Sequence, residues 1–174
     1  MLRLFIAINF CDATRGALFA LRGALRAKSA SGSFSEPDNL HLTLVFIGEC
    51  GANQAAAVKA VMDTVSFEPF NVVIDRVGRF RRPDGDIWWA GVRESEPLSR
   101  LQRELTAGLI AAGFNVDDRK YSPHITLGRK VLTDEREYAL NPFGETAASI
   151  ELMKSERVRG RLTYTAIYTK EGQR

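Results

Sequence analysis

An α+β fold built on antiparallel sheets is what three features of this sequence predict. Strand-length apolar runs alternate with stretches whose leucines recur at helical spacing. Two pairs of such runs are joined by short turn signals, Pro83-Asp84-Gly85 and the surroundings of Gly160, as hairpins are. The 174 residues contain no low-complexity linker, so residues 1–174 are expected to form a single domain with a real core.

Leu2–Phe10 is rich in apolar and β-branched residues and closes on Asp12, as a strand does. Ala13–Ala27 follows, with Leu18, Leu21 and Leu25 on one helical stripe and Arg15, Arg22 and Arg26 between them. Its two Arg-Gly-Ala-Leu copies fit one amphipathic helix better than a repeat architecture. Lys28–Asn39 is polar, serine-rich and contains Pro37, which predicts a loop. Leu40–Gly48 is a strand, and Asn53 offers a cap to a helix whose stripe is Val58, Val61, Met62 and Val65. Phe70–Val77 and Ile87–Val92 are strands on either side of the Pro83-Asp84-Gly85 turn. Ser95 is placed to cap a helix with Pro97 in its first turn, a stripe of Leu98, Leu101, Leu105 and Leu109, and Gly113 at its end. Tyr121–Lys130 reads as a strand and Thr133–Leu140 as a short helix closed by Pro142. Ile150–Val158 and Leu162–Thr169 make a hairpin around Gly160.

Composition removes several classes. With 45% hydrophobic and 26% charged residues the chain is not of the disordered type. Runs such as Phe5–Ile8 and Leu44–Ile47 are strand-sized, far short of the roughly 18 residues a membrane helix needs. The first apolar run stops at Asn9 and Asp12 without a small-residue cleavage site, so no secretory signal is expected. Cys11 and Cys50 are isolated and fit neither a metal spacing nor a disulfide framework, which makes a reduced, cytoplasmic setting the default. The net charge is only +3, but it is carried by 18 arginines against 6 lysines. Arginine suits phosphate and base stacking, although high-GC coding raises its share as well.

The chemistry lies in a short repeat. The chain has 2 histidines, and both fall in nearly the same tetrapeptide: His41-Leu42-Thr43-Leu44 and His124-Ile125-Thr126-Leu127. Strand side chains alternate between faces, so each copy puts an imidazole and a hydroxyl on one side and two apolar residues on the other. A single strand histidine is usually a hydrogen-bonded structural side chain. Two copies that hold both histidines of the chain point instead to a shared purpose. An internal duplication with purely structural histidines would not account for the second polar side chain kept on the same face.

Imidazole titrates near pH 6.5, so one ring can accept a proton while the other donates one. In-line attack at phosphorus needs that pair, one group for the nucleophile and one for the leaving oxygen. The hydroxyls of Thr43 and Thr126 can donate to non-bridging phosphoryl oxygens, where charge accumulates. Two histidines without Cys, Asp or Glu ligands at fixed spacing make a poor zinc or magnesium site, so no metal and no cofactor is expected.

These two His-x-Thr-x motifs, 83 residues apart, resemble the two-histidine (2H) phosphoesterase superfamily. Within it the chain is similar to the bacterial RNA 2′,3′-cyclic phosphodiesterases, also called 2′-5′ RNA ligases. The Leu2–Ile8 strand, the Asn39–Gly48 segment, Ile87–Val92 and the Ser122-Pro123-His124 approach carry the likeness, which covers nearly the whole chain. The resemblance implies two pseudo-symmetric lobes, each an antiparallel sheet flanked by helices, with the motif strands facing each other across a central cleft. It implies hydrolysis of a terminal 2′,3′-cyclic phosphate to a 2′-phosphomonoester, with 2′-5′ ligation as the reverse reaction. On that reading His41 is the general acid for the 3′ oxygen, His124 is the base for water, and Thr43 and Thr126 hold phosphate oxygens. The family also places an Arg five residues after the second His, where Arg129 stands; the first motif has Phe46 there. Strict alternation would put Arg129 on the opposite face from His124, so the strand has to end or twist near Gly128.

Weaker signals surround the motifs. Arg76, Arg79, Arg81 and Arg82 cluster around Phe80, which suits single-stranded RNA and equally suits a solvated hairpin end. Of the adjacent Trp88 and Trp89, one should face the core and the other can serve packing or base stacking. Arg157-Val158-Arg159-Gly160-Arg161 reads as a charged turn, and Tyr121 lies near the second motif. The expected partners are RNA ends, or small cyclic-phosphate nucleotides such as a nucleoside or ADP-ribose cyclic phosphate. The chain is expected to work as a monomer, with no membrane and no obligatory protein partner. A non-catalytic RNA- or nucleotide-binding module is the reading from another class.

Overall fold

The apolar runs do become strands in the computed structural model, which describes residues 1–174. In chain order the elements are β1 (Leu2–Asn9), α1 (Asp12–Ala27), β2 (Ser29–Phe34), β3 (His41–Cys50), α2 (Ala52–Thr64), β4 (Phe70–Phe80) and β5 (Asp86–Val92). There follow α3 (Glu96–Ala111), β6 (His124–Thr133), β7 (Tyr138–Ala147), β8 (Ser149–Val158) and β9 (Arg161–Glu171). The strands form two antiparallel sheets, one of four strands ordered β3-β1-β8-β9 and one of five ordered β2-β6-β5-β4-β7.

The helices bury the faces their sequences announce. α1 turns Leu18 and Leu25 inward and packs on β2 and β6, so it covers the five-stranded sheet although it follows a strand of the other one. α3 buries Leu98, Leu101, Leu105 and Leu109, each 1% exposed or less. It packs on α2 and touches both β3 and β4. One continuous apolar cluster therefore runs from Leu42 and Leu44 through the helices to Ile125 and Leu127. Burying an aliphatic side chain is worth about 1.5–3 kcal/mol, and here it fixes the backs of both motif strands at once. No helix is long and apolar enough to cross a membrane.

Two segments differ from expectation. Lys28–Asn39 is not a loop: it holds β2 and a short 3₁₀ turn at Pro37–Asn39. β2 is an edge strand whose middle residues are exposed, so it carries no alternation to read, and its pairing comes from the free side of β6. Thr133–Leu140 is not a helix; β6 runs through Thr133, and Tyr138–Ala147 is the opposite edge strand, β7. Pro142 is tolerated because it falls where β7 bulges away from β4, between Ala139 and Phe143. Smaller shifts concern ends: α2 is capped by Gly51 rather than Asn53, and the second motif strand starts at His124 rather than Tyr121.

Candidate active site

Both motif strands begin on their histidines, β3 at His41 and β6 at His124, and their first five residues share one burial pattern. Leu42, Leu44, Ile125 and Leu127 are buried, while His41, Thr43, His124 and Thr126 lie half-exposed on the opposite face. The two strands come from different sheets and contact each other, and the charge of His124 acts on His41, so the two polar faces border one cleft.

Each imidazole is held in the same way. His41 Nδ1 lies 2.7 Å from the carbonyl oxygen of Asn39, and His124 Nδ1 lies 2.7 Å from that of Ser122, each two residues upstream. A carbonyl only accepts, so Nδ1 carries the proton in both rings and Nε2 is left for the chemistry. Nε2 of His41 accepts from the Thr43 hydroxyl at 2.8 Å. Aromatic rings complete the walls. His41 packs on Phe5 and Tyr164, with ring centres 4.8 and 5.2 Å away. His124 packs on Phe80 and Trp89, at 5.0 and 6.3 Å.

Those walls set the electrostatics. Burial is the main force lowering the His41 pKa from 6.5 to about 4, partly opposed by the Asn39 carbonyl and reinforced by the charges of His124 and Arg129. His124 is lowered too, again chiefly by burial, with Ser122 opposing and Arg129 adding. Both rings are therefore neutral bases in the unliganded cleft at neutral pH. The charge of Arg129 acts on both rings and lowers the pKa of both.

Arg129 reaches the cleft face through a bulge. Trp88 pairs with Gly128 and Trp89 with Thr126, so Leu127 has no partner across the ladder. A Cβ on Gly128 would lie 2.9 Å from the Phe34 ring and 3.0 Å from Val131, so position 128 faces the core. The next residue, Arg129, consequently shares the cleft face with His124, as the extra residue requires.

Two further side chains tie the motif strands, and no spacing in the sequence announces either link. The Tyr121 hydroxyl, on the approach to the second motif, donates to the Thr43 carbonyl of the first at 2.7 Å. The Ser35 hydroxyl, on the approach to the first motif, donates to the Thr126 carbonyl of the second at 2.9 Å. Each motif is thus braced by the segment that leads into the other. Burial pushes the Tyr121 phenol far upward, so it stays a donor at any ordinary pH. Phe5 and Tyr164 carry no signal in the sequence either; only their contacts with His41 mark them.

The arginine cluster divides. Arg79 pairs with Asp86 at 3.5 Å and lies over Trp88, which is fully buried, so both are structural. Arg76 pairs with Asp75 and lies over Trp89, on the wall beside His124. Arg81 and Arg82 remain as exposed cations at the hairpin end. The Arg157–Arg161 run is the β8–β9 turn, with Arg159 and Gly160 both at positive φ. No cluster of three His, Cys, Asp or Glu side chains is found in the cleft or elsewhere.

Known proteins share this fold. A family model described as the 2′-5′ RNA ligase superfamily matches residues 15–162. An RNA 2′,3′-cyclic phosphodiesterase of Archaeoglobus fulgidus is 32% identical over 151 residues, spanning 83% of this chain and 85% of its own. That of Escherichia coli is 29% identical over 171 residues, spanning 95% and 93%. Among solved structures, E. coli LigT complexed with 3′-AMP superposes with a TM-score of 0.88 at 26% identity, covering 99% of both chains. A protein of Thermus thermophilus superposes with a TM-score of 0.83 at 25% identity, covering 99% of this chain and 100% of its own. The chain belongs to the 2′-5′ RNA ligase superfamily, the two-histidine phosphoesterases.

Proposed function

We propose that this protein is an RNA 2′,3′-cyclic phosphodiesterase that hydrolyses a terminal 2′,3′-cyclic phosphate to a 2′-phosphomonoester without a metal. The observation that carries the reading is the matched pair of imidazoles, each fixed by an Nδ1–H bond and presenting Nε2 to one cleft beside Arg129. His124 Nε2 takes a proton from water, and the oxygen of that water attacks phosphorus. The bond from phosphorus to the 3′ oxygen breaks, and protonated His41 gives its Nε2 proton to that oxygen. Thr43 and Thr126 donate to the non-bridging oxygens, and Arg129 balances their charge. In ligation a 5′-hydroxyl takes the place of water: His124 accepts its proton, its oxygen bonds to phosphorus, the bond from phosphorus to the 3′ oxygen breaks, and His41 protonates that oxygen, leaving a 2′-5′ linkage. The two histidines exchange roles only in the back reaction.

His41, neutral in the empty cleft, needs a reason to hold a proton. The phosphate supplies it, because a nearby negative charge raises an imidazole pKa. The protein is proposed to act as a cytoplasmic monomer on RNA ends, and the exposed Arg81 and Arg82 favour an oligonucleotide over a mononucleotide. The test is incubation with a short RNA ending in 2′,3′-cyclic phosphate in excess EDTA, read by phosphorus NMR. The expected product is the 2′-phosphomonoester. A 3′-phosphomonoester, or turnover only after metal is restored, would overturn the reading. With Arg81→Glu/Arg82→Glu, KM should rise for RNA and stay unchanged for a nucleoside 2′,3′-cyclic phosphate.

A further inference from the structure

A second arginine site lies outside the cleft, between the C-terminal half of α1 and β2. There a cavity of about 340 Å³ is lined by Arg22, Arg26, Ser29, Ser31, Phe34 and Glu36, among others. Its size is within the range of small-molecule sites, about 300–1,000 Å³.

Arg22 is the unusual member. It is 8% exposed, and its guanidinium lies over two rings, Phe19 at 5.0 Å and Phe34 at 5.9 Å. Its one hydrogen bond runs from Nε to the Ser35 carbonyl at 3.0 Å, and it forms no ion pair. Buried cations are normally paired, because desolvating an uncompensated charge is strongly unfavourable. The two rings and the Ser35 bond anchor the guanidinium, leaving the terminal Nη groups as donors without a protein partner. Arg26, one helical turn further on, adds a second and exposed cation to the same cavity. The opposing charge is Glu36, whose carboxylate lies 3.9 Å from Arg161.

We infer that this cavity is an anion site that takes a phosphate group, with Arg22 as the fixed fork and Arg26 as the outer cation. A planar guanidinium held against rings presents two parallel N–H groups, which is the geometry that suits two phosphate oxygens. The group belongs either to the backbone of a bound RNA or to a free phosphate or nucleotide. The position of β2 favours a link to the cleft: Ser33 pairs with Arg129, and Ser35 braces Thr126. The anion site stands or falls independently of the catalytic reading, since it occupies a different wall of the protein.

Amide and arginine-side-chain NMR shifts separate the two sites. Inorganic phosphate, and in a second arm a short RNA with a plain 3′-hydroxyl end, is titrated into the full-length protein. Shifts at Arg22, Ser31 and Gly32 that saturate with phosphate identify a small-anion site; the same shifts with RNA alone identify an RNA-backbone site. Arg22→Gln should weaken that binding by about tenfold or more, in line with a lost charge-assisted bond. Arg26→Ala, an exposed change that leaves the fold intact, should weaken it by about two- to fivefold. Glu36→Gln should tighten it. Cleft shifts should be unaltered in the Arg26 and Glu36 variants. Shifts confined to the cleft in both arms, or α1–β2 shifts that ignore Arg26→Ala and Glu36→Gln, would overturn the inference.

Discussion

An unperturbed imidazole is mostly neutral at pH 7, and burial takes His41 much further, to a pKa of about 4. For a base, a lowered pKa means that the protonated form is lost as pH rises through a lower value. The reaction needs one ring protonated and the other neutral, and kcat/KM reports the free enzyme. With both rings held below 6.5, the productive pairing thins out as pH rises past that point. Initial rates between about pH 4 and 8 should place the kcat/KM optimum below pH 6.5, with the kcat optimum displaced upward by the bound phosphate. A kcat/KM optimum near pH 8 would contradict the lowering of both rings. At this scale the sequence was informative: both histidines and both threonines lie where the duplicated tetrapeptide puts them. The carbonyls that orient the rings were not legible, because any residue supplies a carbonyl and only the backbone path aims it.

Strands and their edges decide how well the two motifs are aligned. β3 is an edge of its sheet, and the Tyr121 hydroxyl satisfies a carbonyl on β3 from a segment 78 residues away. Tyr121→Phe removes the donor and leaves the Thr43 carbonyl without that partner, at a cost of about 1–3 kcal/mol. Denaturant melts should show that loss. If the brace also aligns the cleft, kcat should fall more than KM rises, whereas a purely structural bond would leave kcat untouched in the folded fraction. Elements with a buried face were readable for a physical reason: the leucine stripe of α3 and the alternation in β3 record which side meets the core. Edge elements record no such thing. β2 leaves its middle residues exposed and reads as a loop, and β7 carries Pro142 at a bulge and reads as a broken helix. The brace joins two single residues distant in the chain and leaves no periodic trace.

Across the whole molecule the chain weaves between its sheets. β1 and β3 build one sheet, β2 and β4 to β7 the other, and β8 and β9 return to the first. α1 covers the sheet it does not follow, and one apolar cluster backs both motif strands. This interleaving explains how two motifs far apart in the chain come to share a cleft, and composition alone could not have disclosed it. It also lets one side of the cleft be tested without dissolving the other, because the histidines stand on the exposed face while the core lies behind them. The most direct measurement follows conversion of the cyclic-phosphate RNA by phosphorus NMR in excess EDTA, for wild type, His41→Ala and His124→Ala. Each replacement should cut kcat by about 10²–10⁴-fold, the usual contribution of a positioned proton-transfer group, while thermal melts stay cooperative. Turnover that survives either replacement within about tenfold would contradict the two-histidine mechanism.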